Sequence, residues 1–259
     1  MPHPLDFSGK AAIVTGGCRG IGHSIAERFL QAGAGVVVCC RHQLEAPPAA
    51  DGREAIFVTA DVRDSDECER VVDVAVERFG GLDVVVNNAG GSPPADAATA
   101  SPRFSEAVIR LNLLAALNMA QHANTVMQKQ PGGGAMVNIG SISGMRPSPG
   151  AAAYGAAKAG LINLTQTLAM EWAPKVRVNC VTPGLVLTET ADVTYGDEAS
   201  QRRVAATVPL GRMADPAEIA DACLFLASDL SGFTSGANLV LHGGGERPPY
   251  LDAVDRSPS

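Results

Sequence analysis

The feature that most constrains this chain is an alternation. Short apolar, β-branched runs at 11–15 (AAIVT), 35–40 (GVVVCC), 55–59 (AIFVT), 82–88 (LDVVVNN), 135–140 (AMVNIG), 176–181 (VRVNCV) and 237–242 (ANLVLH) are separated by stretches with helical spacing of apolar residues. Those stretches are 21–31, 65–79, 107–127, 154–172 and 216–227. Most of the runs lack the polar alternation of a half-exposed strand, so both faces of each strand are expected to be buried. Strand and helix in turn, with short connections, specify a doubly wound α/β fold: a parallel sheet of about seven strands with helices on both faces. Ligands of such sheets sit beyond the carboxyl ends of the strands. The crossover at 41–54 is the exception, since its brevity and Pro47-Pro48 leave little room for a helix.

With 259 residues, 46% of them hydrophobic, the chain can bury one large core, and neither a repeat nor a low-complexity linker divides it. A single domain over 1–259 is expected. The net charge of -7 disfavours nucleic acid or an anionic membrane as the main partner, so any bound anion must be held locally. No apolar stretch approaches the roughly 18–20 residues of a membrane span, and residues 1–10 (MPHPLDFSGK) lack the features of a signal peptide. A cytoplasmic location is expected. The six cysteines, Cys18, Cys39, Cys40, Cys68, Cys180 and Cys223, show no C-x-x-C spacing. Adjacent Cys39 and Cys40 point to opposite faces of a strand, which opposes a bond between them. No metal site is expected, and the thiols read as structural or incidental.

Two motifs carry chemistry. The first, Thr15-Gly16-Gly17-Cys18-Arg19-Gly20-Ile21-Gly22, follows the first strand and opens a helix. Glycines permit positive φ and close backbone approach, and the helix N-terminus offers free N–H groups to a pyrophosphate. An ordinary tight turn is the alternative. The second is Ser141, Tyr154 and Lys158 in SISGMRPSPGAAAYGAAK. Residues four apart share a helix face, so Tyr154 and Lys158 can enter one cleft. An ammonium beside a phenol lowers the pKa from its ordinary ~10 toward the range useful for proton transfer. An amphipathic helix whose tyrosine packs and whose lysine snorkels would look the same in isolation.

In order and spacing, TGGCRGIG, Asn87-Asn88-Ala89-Gly90, Asn112 in RLNLL, Ser141, the Tyr154/Lys158 pair and Pro183-Gly184 resemble the short-chain dehydrogenase/reductase family, and within it the 3-oxoacyl-[acyl-carrier-protein] reductase-like members. The match runs from about Gly9 to Gly244. The resemblance implies a nicotinamide cofactor, a small-molecule carbonyl or alcohol substrate, and a homotetramer or homodimer. It implies a catalytic tetrad of Asn112, Ser141, Tyr154 and Lys158. In it Tyr154 exchanges the proton, Ser141 bonds the reacting oxygen, Lys158 grips the nicotinamide ribose and Asn112 holds a water leading to solvent. Cofactor contacts are implied at Gly16, Cys18, Arg19, Gly20, Ile21, Gly22, Cys40, Arg41, Asp61, Val62, Asn87, Asn88, Ala89, Gly90, Pro183, Gly184, Val186 and Thr188, besides Tyr154 and Lys158. Asp61 has a second reading, as the cap of the helix starting near Asp64 or Ser65.

At the end of the second strand, an acid would bond the ribose 2′-hydroxyl of NAD and repel the 2′-phosphate of NADP. The position carries Cys40, with Arg41 beside it and Arg19 in the glycine loop. Two guanidiniums suit a dianionic phosphate, so NADP(H) is the expected cofactor, with NAD(H) the alternative. His42 reads as a surface residue that could also stack on or hydrogen-bond the nucleotide. The substrate is expected to contact Ile142, Ser143 and Met145, the 91–94 segment and a polar lid at 188–210; Met145, Pro93, Leu185 and Leu187 favour an apolar ketone or a 3-oxoacyl-type compound. Tyr250 and Leu251 in the 245–259 tail could dock on a neighbouring subunit. The competing functions are an NAD-dependent alcohol or steroid-type dehydrogenase and a nucleotide-sensing regulator without turnover. An enoyl reductase of the same superfamily is disfavoured by the short Tyr154-to-Lys158 spacing, and the residues leave open racemisation or dehydration through a keto intermediate.

Overall fold

The computed structural model describes residues 4–43, 46–246 and 248. In chain order the elements are β1 (Ala11–Thr15), α1 (Gly20–Gln31), β2 (Gly35–Cys40), the hairpin β3 (Ala49–Ala50) and β4 (Arg53–Glu54), β5 (Ile56–Thr59), α2 (Ser65–Phe79) and β6 (Val84–Asn87). Then come α3 (Pro102–Ile109), a π-helical turn (Arg110–Leu114), α4 (Ala115–Met127), β7 (Gly134–Ile139), α5 (Ala152–Glu171), β8 (Val176–Pro183), α6 (Ala191–Tyr195), α7 (Glu198–Ala206), α8 (Pro216–Ala227) and β9 (Asn238–Leu241).

Seven strands form one parallel sheet in the order β5-β2-β1-β6-β7-β8-β9. The chain winds outward from β1 through β2 to β5, then returns to β6 on the other side of β1. The β1/β6 junction is therefore the topological switch point, where connections leave in opposite directions and open a crevice. The seven apolar runs of the sequence all became sheet strands. Successive side chains face opposite layers: Val14, Val36 and Val86 pack with Ile25 and Phe29 of α1 and Ile219 of α8, whereas Ile13, Val37 and Val85 pack with Val71 of α2 and Met119 of α4. That two-sided burial explains the unbroken apolar runs.

Local signals set the helix ends. Asp64 caps α2 by accepting from the Asp66 and Glu67 N–H groups, and Gly80 ends it at φ 82°. Asp215 and Glu218 form a capping box at α8, with Pro216 in the first turn. Among its described residues the 41–54 crossover holds the β3/β4 hairpin and no helix. The expected helix at 107–127 starts earlier, at Pro102 behind the Ser101 cap, and is interrupted by the π-turn. The 188–210 segment contains α6 and α7. Among the described residues no helix is long and apolar enough to cross a membrane. Tyr250 and Leu251 lie outside the described residues.

Candidate active site

A cleft of about 710 Å³ lies over the carboxyl ends of the strands at the switch point. Its walls come from the loops after β1, β2, β5, β6, β7 and β8, and from the start of α5. Every residue implied by the family resemblance lines it except Asn87 and Asn112.

The glycine loop is built for a close backbone approach. Gly16 and Gly20 have φ of 64° and 55°, in the left-handed region that favours glycine. A Cβ on Gly22 would stand 2.3 Å from the Gly16 carbonyl oxygen and 2.4 Å from Asn88 Nδ2, so no larger residue fits without moving the loop. Asn88 ties that loop to β6, donating to the carbonyls of Thr15 at 2.9 Å and Gly16 at 3.2 Å. At the N-terminus of α1 the Gly20 N–H donates to the Glu189 carboxylate at 2.8 Å. An oxyanion thus already sits where free N–H groups and the helix dipole favour one. These features fit a dinucleotide: a cradle only glycine allows, leading to a helix end that holds an anion. Glu189 was not anticipated from the sequence, which showed it only as one acid in a polar stretch.

Asn87 is not part of the cleft. It is buried, donating to Asn138 Oδ1 at 2.9 Å and the Ala116 carbonyl at 3.3 Å, and so knits β6 to β7 and α4. As the last residue of the strand it points into the core, whereas Asn88, Ala89 and Gly90 of the same motif line the cleft. Asp61 is not the α2 cap, a role Asp64 fills. It lines the cleft and is held by Arg63, whose Nε donates at 2.9 Å and whose backbone N–H donates at 3.1 Å. Those bonds hold its carboxyl below the usual range, with Arg41 contributing through its charge.

At the other end of the cleft, Ser141 follows β7, and Tyr154 and Lys158 project from the first two turns of α5. Ser141 Oγ accepts from the Ser143 N–H at 3.2 Å, and the Ser141 side chain also acts on the Tyr154 phenol. Lys158 is almost wholly buried and donates to the Ile139 carbonyl at 2.7 Å, with Nζ 5.7 Å from the centroid of the Tyr154 ring. Burial pushes the Lys158 ammonium down to about 8, offset in part by Cys180. Burial also raises the Tyr154 phenol, and the Ser141 hydrogen bond opposes that rise. Desolvation is the largest influence on the phenol, with Ser141 opposing it.

Asn112 sits in the π-turn, fully buried. Its Nδ2 donates to the carbonyls of Gly91 and Val108, each at 2.9 Å, and its Oδ1 accepts from Gly91 N–H at 2.8 Å. A Cβ on Gly90 would lie 2.7 Å from Asn112 Oδ1 and 3.2 Å from Lys158 Nζ. Asn112 thus braces the Gly90–Gly91 turn against the lysine. A π-turn frees a helix residue from the regular spacing, a local irregularity common at functional sites, and periodicity alone gave no sign of it.

Tyr195 at the end of α6 also reaches the cleft. Its phenol is raised mainly by burial, opposed by a hydrogen bond at the Val186 backbone, and it senses the charge of Tyr154. The only sequence signal was a lone aromatic in a polar segment. A smaller cavity of about 250 Å³ adjoins, lined by Ile142, Met145, Leu185 and Val208 with Arg146, His242 and Glu246. Leu187 does not belong to it; that side chain is half exposed over a separate groove beside α7 and α8.

The thiol reading needs the largest correction. Cys18 and Cys40 form a disulfide, with Cα atoms 6.4 Å apart. Spacing along the chain could not show it, because the partners meet through the register of β1 with β2, in which Thr15 pairs with Cys39. Cys39 does point the other way, into the core, with Cys68, Cys180 and Cys223 also buried and unpaired. Arg19, Arg41 and His42 are exposed at this end of the cleft.

Such a cleft can bind a dinucleotide across the switch point and present a hydroxyl pair and an ammonium to a reacting oxygen, which is the equipment of a nicotinamide-dependent oxidoreductase. Comparisons with known proteins agree. The family model described as Enoyl-(Acyl carrier protein) reductase matches residues 16–246. A 3-oxoacyl-[acyl-carrier-protein] reductase of Chlamydia muridarum is 39% identical over 243 residues, covering 91% of this chain and 96% of the relative. An acetoacetyl-CoA reductase of Allochromatium vinosum is 38% identical over 244 residues, covering 91% and 98%. The crystal structure of a putative short-chain alcohol dehydrogenase from Sinorhizobium meliloti superimposes with a TM-score of 0.85 at 34% identity, covering 97% of this chain and 100% of that one. The chain belongs to the short-chain dehydrogenase/reductase family, oxidoreductases that act on CH–OH groups with NAD(P).

Proposed function

We propose that the protein is an NADP(H)-dependent oxidoreductase that interconverts a carbonyl and a secondary alcohol on an apolar ketone or 3-oxoacyl-type substrate. The observation that carries the reading is the convergence of Ser141, Tyr154 and Lys158 on the cleft that begins at the glycine loop. A bound nicotinamide supplies or accepts the hydride. Ser141 and Tyr154 donate hydrogen bonds to the reacting oxygen, and Tyr154 passes it a proton as charge develops in the reductive direction. The Lys158 ammonium stabilises that charge and holds the ribose, while Asn112 keeps the Gly90–Gly91 turn in place behind it. Carbonyl chemistry is favoured over enoyl reduction by the four-residue step from Tyr154 to Lys158 on one face of α5.

Preference for NADP(H) rests on Arg19 and Arg41 flanking a position with no carboxylate. The apolar side chains of Ile142, Met145, Leu185 and Val208 support a substrate with an aliphatic portion. We place the enzyme in the cytoplasm as a homotetramer or homodimer, with exposed Met170, Leu230 and Phe233 available to an interface. The test is a fluorescence titration with NADPH and NADH, for wild type and Arg41→Ala, followed by reduction of 3-oxoacyl thioesters and cyclic ketones. NADPH should bind more tightly, and Arg41→Ala should abolish most of the difference. Equal binding of both nucleotides by both proteins would overturn the preference, and failure of every carbonyl would overturn the substrate class.

A further inference from the structure

We propose that Cys18 and Cys40 are a reversible thiol–disulfide modification site whose oxidation pins together the two walls at the adenosine end of the cleft, so that the dithiol form binds NADP(H) more tightly. The inference rests on the cofactor reading above. Cys18 lies in the loop after β1 and Cys40 ends β2; these are the two walls between which the adenosine ribose and its 2′ substituent must enter. The bond holds the walls with Cα atoms 6.4 Å apart. Walls pinned in this way cannot part to seat a 2′-phosphate between Arg19 and Arg41, whose charge-assisted bonds to it would be about 2.7–2.9 Å long.

The pair is also placed to react. Both cysteines are half-buried and line an open cleft, next to Arg19 and Arg41, and Cys18 stands one residue before the Arg19 N-cap of α1. Cationic neighbours and a helix N-terminus favour the thiolate, the reactive species. The Cys40 sulfur is 3.1 Å from the His42 carbonyl oxygen, an acceptor that a thiol S–H can use and a disulfide cannot. The other four cysteines differ sharply: burial raises their thiols, to about 12 for Cys39 and Cys68.

The exchange balances with a small-molecule or protein dithiol as reductant. Its thiolate attacks one sulfur, breaking the Cys18–Cys40 bond and forming a mixed disulfide. Its second thiolate then expels the protein thiolate, leaving the reductant as a disulfide and two protonated cysteines that have gained two electrons. An oxidised dithiol runs the reaction in reverse.

The test treats the full-length protein with either dithiothreitol or its oxidised form. The bond is mapped by differential alkylation and peptide mass spectrometry, and NADPH and NADH are titrated into both forms. The oxidised protein should contain the Cys18–Cys40 peptide pair and bind NADPH at least tenfold more weakly than the reduced protein. Cys18→Ser should bind NADPH equally after either treatment, and Cys40→Ser should do the same. Equal NADPH affinity of the two wild-type forms would overturn the proposal, as would failure of the pair to form under oxidation. If the reduced protein binds neither nucleotide, the cofactor reading itself falls, a result distinct from equal binding by both forms.

Discussion

The two ends of the cleft are built on different principles. At the nicotinamide end Lys158, Ser141, Tyr154 and Asn112 are buried or half-buried, and each is fixed by hydrogen bonds to backbone or to one another. At the adenosine end Arg19, Arg41 and His42 are exposed, and the walls are joined by one covalent bond. Buried groups act through geometry and desolvation, so small changes there carry large effects. Exposed cations act through screened charge, which selects among ligands at modest energies. The comparison teaches that chemistry and cofactor choice can vary separately within one crevice.

The largest expected effect is at the buried end. Tyr154→Phe removes the proton donor and the Ser141 hydrogen bond while keeping the ring, so kcat should fall about 10³-fold, within the ~10²–10⁴ range for general acids, with nucleotide affinity changed little. Stopped-flow binding alongside steady-state turnover separates the two, and a Phe variant with near wild-type kcat would move the chemistry elsewhere. Next is Gly22→Ala, whose methyl meets the Gly16 carbonyl oxygen and Asn88. Overpacking costs about 1–3 kcal/mol, which should appear as a lower Tm together with weaker binding of both nucleotides. If affinity survived, the loop would not be the cradle.

An intermediate effect follows from pH. The Lys158 ammonium is depressed to about 8 from 10.5, so raising pH through 8 removes the positive charge from the folded protein. In the reductive direction kcat/KM should fall about tenfold per unit above that point, and nucleotide affinity should show the same alkaline limb, absent in Lys158→Met. The unfolded chain keeps this proton to higher pH than the folded one, so stability contributed by the group rises as pH increases from about 8 to 10.5. The smallest expected change is at Glu189. Its carboxylate occupies the α1 N-terminus that a pyrophosphate would use, so Glu189→Gln should tighten binding of NADPH and NADH alike, by a few-fold at low salt. Weaker binding would show that Glu189 helps the ligand rather than competing with it.

What was legible in the sequence was what depends on local pattern. Unbroken apolar runs gave the parallel sheet, and Ser141, Tyr154 and Lys158 fall in the cleft because helix periodicity places residues four apart on one face. The burial of Asn87 was not legible because alternation along a strand decides which side a residue faces, and a motif read as a unit hides that its first member is still inside the strand. The Cys18–Cys40 bond was missed because its partners, 22 residues apart, meet only through strand register. Spacing brings Lys158 near Tyr154 but does not show that both side chains lose water.

The π-turn at Arg110–Leu114 has a consequence for how the long rod from Pro102 to Met127 serves its neighbours. An added residue shifts the angular phase of everything after it by about 100°. Before the turn α3 leans on α5, and after it α4 leans on α2, so one rod presents two differently oriented faces to two partners. Deleting a residue from 110–114 would bring the halves into phase and force one of those contacts to rotate away. The irregular turn is thus a phase shifter for the whole layer, and Asn112 stands at the point where the phase changes.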